Sequence, residues 1–132
     1  MSLDINAAMD LIGAALGTIS GLRVFDFPAD SVSPPAALVD LEAVDYDAAT
    51  ARMADRATFK IFLVVGSEVD RSARDALHGY LNGAGAGTTS IKAAVDAIGG
   101  SKVRVTRAEK TPVTVAGQVF RAAAVFDVDY IA

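Results

Sequence analysis

The stretch that most limits the possible folds is Ala57–Asn82, where an alternating apolar pattern gives way to a helical one. In its first half, apolar residues recur at every second position and so share one face of a β-strand: Phe59, Ile61, Leu63 and Val65. Phe62 and Val64 make the other face apolar too, which is typical of a strand inside a sheet. Beyond Gly66, apolar residues return at helical spacing: Ala73, Ala76, Leu77, Tyr80 and Leu81. The pattern predicts a buried strand followed by a helix that packs back over it.

The remaining segments indicate an α+β fold, here a mixed α/β sandwich. The patterns predict helices at 4–16 and 90–98 and strands at 22–27, 36–44 and 102–108. Thr88 or Thr89 is expected to cap the later helix, and Ala116-Gly117 marks a hairpin. We expect a single domain over residues 1–132, with helices packed on a largely antiparallel sheet of four to five strands.

Composition excludes several classes of protein. The 132 residues contain no cysteine, so disulfides and thiolate metal sites are ruled out. The net charge of −4, with both signs interspersed, argues against non-specific binding to duplex nucleic acid, which needs a basic face. No apolar run approaches the ~20 residues of a membrane span, and the N-terminal residues are not those of a secretory signal. We therefore expect no membrane contact and a protein that is soluble and intracellular when made.

Two further features point to contacts with other proteins. The segment Asp45–Arg56 is long for a loop between paired strands and mixes both charges. The last strand, predicted over Val119–Ile131, is about twice the usual length, and one of its faces becomes polar toward its end. Charges of this kind fix the register of subunits and reject wrong partners. The candidate interface residues are Asp45, Asp47, Arg52, Asp55, Arg56, Asp127 and Asp129.

Motifs for catalysis or ligand binding are weak. His78 is the only histidine, and we interpret it as a half-exposed helix residue rather than a general base paired with Asp75. Gly83–Gly87 follows a helix and lacks the lysine of a phosphate loop, which favours a flexible connector. Glu42 and the aspartates that follow it do not have the spacing of a cation-binding loop. We expect no enzymatic activity, no cofactor and no metal.

A set of short segments is spread along nearly the whole chain: Leu16–Asp26, Pro34–Ala37, Val65-Gly66, Asp70–Leu77, Tyr80-Leu81, Thr114–Gly117 and Tyr130–Ala132. Together and in this order they resemble the tail terminator proteins of long-tailed (siphovirus-type) actinobacteriophages. The resemblance is one of small spaced pieces and not of a catalytic signature. It transfers no site residue position by position.

The resemblance implies a structural virion protein. Tail terminators form a homohexameric ring on the last ring of the tail tube, stop tube polymerisation, and present a surface to the head–tail connector protein. DNA passes through the bore without specific binding, and the acidic balance of this chain suits a bore that does not retain DNA. The implied location is the head-proximal neck of the virion, with the host cytoplasm during assembly. The sheet with helices against it that such proteins share agrees with the fold predicted from the residues.

Other functions remain open on the residues alone. A head-closure or head–tail connector protein of the same neck would bind the portal complex of heads that lack tails, whereas a terminator would cap free tails. A small α+β binding module would need convergent polar groups in an apolar cleft. An enzyme would have to depend on His78 with Asp75.

Overall fold

The computed structural model describes residues 4–19, 21–25, 35–46, 55–66, 71–83, 90–98, 103–115, 118–120 and 122–131. Within these ranges there are three helices and seven strands. Their bounds are α1 Ile5–Leu16, β1 Arg23–Phe25, β2 Ala36–Asp45, β3 Arg56–Gly66, α2 Arg71–Leu81, α3 Ile91–Asp96, β4 Val103–Lys110, β5 Val113–Val115, β6 Gln118–Phe120 and β7 Ala122–Ile131. No helix in the described ranges is long and apolar enough to cross a membrane.

Five of the strands form one sheet in the order β1-β2-β3-β7-β4, and β5 pairs with β6 as a separate hairpin. The β1–β2 pair is parallel and the other pairs in the sheet are antiparallel. The expected α+β class, with a largely antiparallel sheet, is therefore confirmed. The strand predicted to be internal, β3, lies at the centre of the sheet, because it pairs along its length with β2 on one side and β7 on the other.

All three helices pack on one face of the sheet, which we call the helix face. The alternating residues of β3 predicted to share a face are buried here, with Phe59, Ile61 and Leu63 fully inaccessible to solvent. The helices contribute buried side chains to the same cluster, which include Ile12, Leu16, Leu77, Ile91 and Val95. A single core thus lies between the helices and the sheet, as the change of period along the sequence predicts.

Capping side chains begin two of the helices. Asp4 accepts a hydrogen bond from Ala7 N at 3.1 Å and so begins α1. For α3 the prediction of Thr88 or Thr89 was wrong, because Ser90 is the N-cap and its Oγ accepts from Ala93 N at 3.1 Å. The three hydroxyl residues 88–90 are adjacent, and sequence alone does not distinguish which of them lies at the start of the helix.

The prediction of one long strand over Val119–Ile131 was also wrong. Residues 118–120 form β6 and pair with β5, whereas β7 begins at Ala122 and pairs with β3 and β4. The period of two runs through this break without interruption, because both segments are strands. Among the described residues, the two segments differ in their pairing partners.

Candidate functional site

The sheet face opposite the helices, which we call the open face, is the candidate functional surface. None of the three described helices packs on it, and its two ends differ in character. Side chains of residues directly opposite one another on paired strands share a face, so the strand register gives its composition row by row. The first row consists of Ala36, Val64 and Ala123.

The β5–β6 hairpin covers this apolar end. Val113 of β5 forms a second buried cluster with Ala36, Val64 and Ala123. Phe62 and Val125, in the next row, pack against the cluster and are half-buried. This end of the open face is therefore a small second core.

The next row is a line of alternating charges across four strands. Asp40 lies opposite Lys60, Lys60 opposite Asp127, and Asp127 opposite Arg107. Each cation has an anion beside it, and opposite charges on facing strands stabilise a sheet modestly. We call these four residues the charge row.

Lys60 is the centre of the charge row. Its Nζ donates to Asp127 Oδ1 at 2.7 Å and lies 3.6 Å from Glu42 Oε1. The Lys60 and Asp127 side chains are 30% and 32% exposed, so the pair is partly shielded from water. The hydrogen bond to Asp127 raises the pKa of Lys60 above its usual value, partial burial opposes this, and the charges of Asp127 and Glu42 add to the rise.

Two more rows beyond the charge row are also polar. Thr58 lies between Ala43 and Asp129, and Asp129 lies opposite Arg104 on β4. In the last row Asp45 faces Arg56 at the ends of β2 and β3. Both signs of charge therefore alternate over the part of the open face that lies beyond the β5–β6 hairpin.

The structure brings four of the predicted interface residues onto this one surface. Asp45, Arg56, Asp127 and Asp129 come from two distant parts of the sequence but share the open face. Asp45 and Arg56 are paired strand residues and not loop residues, so the connection between β2 and β3 is shorter than predicted. Asp55 is half-buried just before β3. Asp47 and Arg52 lie outside the described residues.

Sequence reasoning missed the remaining members of this surface. Lys60 was not singled out, although it is a charged residue in a largely apolar central strand and lies on the same face of that strand as Phe62. Asp40, Arg104 and Arg107 were also missed, because each becomes part of the surface only through pairing with a distant strand. An isolated charge at the centre of a buried strand was the one available signal.

The described residues give little support to the other candidate sites. His78 is exposed on α2, more than the half-exposed position predicted, and neither its side chain nor that of Asp75 has a hydrogen bond among the described residues. The described residues contain no group of three or more His, Cys, Asp or Glu that could hold a metal ion. Of the Gly83–Gly87 segment, only Gly83 is among the described residues. A cleft of about 290 Å³ lies beside α1, lined by Met9, Asp10, Gly13, Ala14 and Val24.

Comparison with known proteins identifies no family for this chain. No model of a protein family matches the sequence, and no curated protein matches it either.

Proposed function

We propose that this chain is a structural protein of the neck of a long-tailed phage, a tail terminator. In this role it forms a homohexameric ring at the head-proximal end of the tail tube, stops tube polymerisation, and joins the tail to the head–tail connector. DNA passes through the ring without specific binding. The virion neck is the site of action, and the protein is made in the host cytoplasm.

The observation that carries this proposal is the open face of the sheet. A sheet face that no described helix covers, with alternating charges, is suited to oriented protein–protein contacts, since misaligned partners would place like charges together. Asp45, Arg56, Asp127 and Asp129, chosen as interface candidates from the sequence, lie on it together. The resemblance of the spaced sequence segments to tail terminators is the reason for proposing a ring on the tail tube rather than another assembly.

A tube-capping assay tests the proposal. The tail tube protein encoded in the same genome is allowed to polymerise with and without this chain, and tube lengths are measured by negative-stain electron microscopy. A gold-labelled tag on this chain reports its position. We expect label at one end of each tube and an arrest of growth at that end. Binding to the portal complex of tailless heads, without binding to tubes, would instead identify a head-closure connector.

A charge-reversal variant tests whether the open face makes these contacts. Arg56 and Arg104 are exposed on this face opposite Asp45 and Asp129, so Arg56→Glu combined with Arg104→Glu reverses its charge and costs a modest part of the stability. We expect this variant to lose capping while it remains folded at the assay temperature, as its thermal unfolding checks. Arg74→Glu, on an exposed position of α2, is the control and should cap normally. Equal loss of capping in both would argue against the open face.

A further inference from the structure

β4 is an edge strand of the five-stranded sheet, and α3 covers only part of its outer edge. Val105 N donates to Asp96 Oδ1 at 2.9 Å, and Lys92 Nζ donates to Val105 O at 3.1 Å. Lys92 and Asp96 also pair with each other at 2.6 Å, one turn apart on α3. The two side chains thus take the place of a neighbouring strand at Val105.

Beyond Val105, no described residue covers the same edge in this way. Thr111 N donates to Ala123 O of β7 at 3.2 Å, so the backbone groups of Thr111 point into the sheet. Because alternate residues of an antiparallel strand point toward opposite neighbours, the N–H and C=O of Ala108 and Lys110 point outward. Neither residue has a hydrogen bond on that side among the described residues. We call the segment Thr106–Lys110 the open half-edge.

Two antiparallel copies of the open half-edge have complementary charges. Arg107 and Glu109 lie on the open face, on either side of Ala108, and their side chains are 68% and 65% exposed. Their mutual contact is long, with Arg107 Nη2 at 3.7 Å from Glu109 Oε2. In an antiparallel pair of two such segments centred on Ala108, each Arg107 would lie directly opposite a Glu109.

We propose that the open half-edge binds the same segment of a second copy of this chain, antiparallel, with the two Ala108 residues directly opposite each other. The outward N–H and C=O of Ala108 then bond to those of its counterpart, and two Arg107–Glu109 pairs form across the two-fold axis. The helix face leaves room for this strand, because a cleft of about 320 Å³ borders Ala108, with Leu81, Lys92 and Phe126 in its wall. Two five-stranded sheets become one continuous sheet.

The pairing is short, because Lys92 and Asp96 occupy the edge at Val105. A contact of this size belongs to the small class of interfaces, so the pair should form reversibly and depend on protein concentration. Its two-fold symmetry also differs from the head-to-tail contacts that build a ring. The proposal therefore concerns the free chain and does not depend on the proposed tail function.

Sedimentation velocity over a concentration series tests the pairing. The wild type should shift from monomer to dimer as its concentration rises. Arg107→Glu and Glu109→Arg each place like charges opposite one another twice and should weaken the dimer about tenfold or more. The double variant, with both changes, restores opposite charges in the reverse order and should restore the dimer. Arg74→Glu, on α2, is the matched control and should behave as the wild type.

A backbone variant separates strand pairing from general charge attraction. Ala108→Pro removes an N–H that points away from β7, a position at which an edge strand tolerates proline. It should abolish the dimer while the circular dichroism melting curve stays close to that of the wild type.

Several results would overturn the proposal. The register of β4 against β7 shifts between Val105 and Arg107, which makes Thr106 a β-bulge. A wild type that stays monomeric throughout would show that this bulge and the flanking charges only protect the edge from pairing. A double variant that remains monomeric would exclude this register. Larger assemblies that are insensitive to both Arg107→Glu and Ala108→Pro would show that copies meet through another surface.

Discussion

The side chain of Lys60 connects three neighbouring strands on the open face. It lies on the central strand, where its neighbours Phe59 and Ile61 are fully buried on the helix face. A long side chain permits this, because its methylene stem can lie along the sheet while the ammonium reaches a carboxylate. Its contacts with Asp127 and Glu42 then bridge β3 to β7 and β2.

Replacing Lys60 with methionine should lower the free energy of unfolding by no more than about 1 kcal/mol at pH 7, because the pair is only partly shielded from water. Since the folded state raises the pKa of Lys60 above 10.5, the stabilisation is fully present below that pH and is lost as pH rises through the raised value. Urea unfolding from pH 7 to 11 should show a constant gap between wild type and variant up to about pH 9, which closes above about pH 10.5.

Lys110→Met, at an exposed position of β4, is the control, and its free energy of unfolding should differ little from that of the wild type at any pH. Burial raises the pKa of Tyr80 as well, so wild-type stability should also fall at high pH through this phenol. Tyr80→Phe removes that second contribution. A Lys60→Met gap that closes below pH 9 would contradict the assignment to the lysine.

The two faces of β3 should differ in sensitivity to truncation. Phe59 is fully buried and meets Tyr130 edge-on, with ring centroids 6.5 Å apart, whereas Phe62 is half-buried on the open face. Phe59→Ala should cost about 3–5 kcal/mol and Phe62→Ala clearly less, as measured by urea unfolding at neutral pH. Equal losses would mean that the open face is as tightly packed as the helix face.

At the scale of elements, the hydroxyl of Ser90 connects the start of α3 to the end of α2. Ser90 is only 2% exposed, and its Oγ accepts from Ala93 N and donates to Asn82 O at 2.6 Å. It therefore begins α3 and also attaches α3 to the residue after α2.

Ser90→Ala should cost about 1–2 kcal/mol, because it removes the cap and leaves a carbonyl with one partner fewer. Asp4→Ala, which removes the exposed cap of α1, is the comparison and should cost about 1 kcal/mol or less. Thermal unfolding monitored by circular dichroism measures both. A smaller loss for Ser90→Ala than for Asp4→Ala would argue against the double role of this hydroxyl.

Local patterns predicted the elements well and their pairing less well. The change of period after Gly66 identified β3 and α2, because each pattern depends on neighbours in sequence. The break between β6 and β7 was missed, since a choice between strand partners leaves no trace in the alternation. For the same reason Asp127 and Asp129 were found as polar positions, but the charge row that includes Asp127 was not.

At the scale of the whole molecule, the two sheet faces differ in composition. The helix face contains the main core, and the open face is apolar under the hairpin and charged beyond it. Changes to the exposed charges of the open face should therefore affect assembly more than stability. The proposed ring uses the charged open face and the proposed pairing uses the backbone edge of β4, and Arg107 belongs to both. Arg56→Glu with Arg104→Glu tests the first and Ala108→Pro the second, so each can fail without the other.

The most direct test of the proposed function is immunogold electron microscopy of intact virions and of isolated tails, with an antibody against this chain. We predict label at the head-proximal end of tails, including tails that have no head. Label on heads alone would instead identify the chain as a head-closure connector. A complete absence of label from every particle would contradict the virion role.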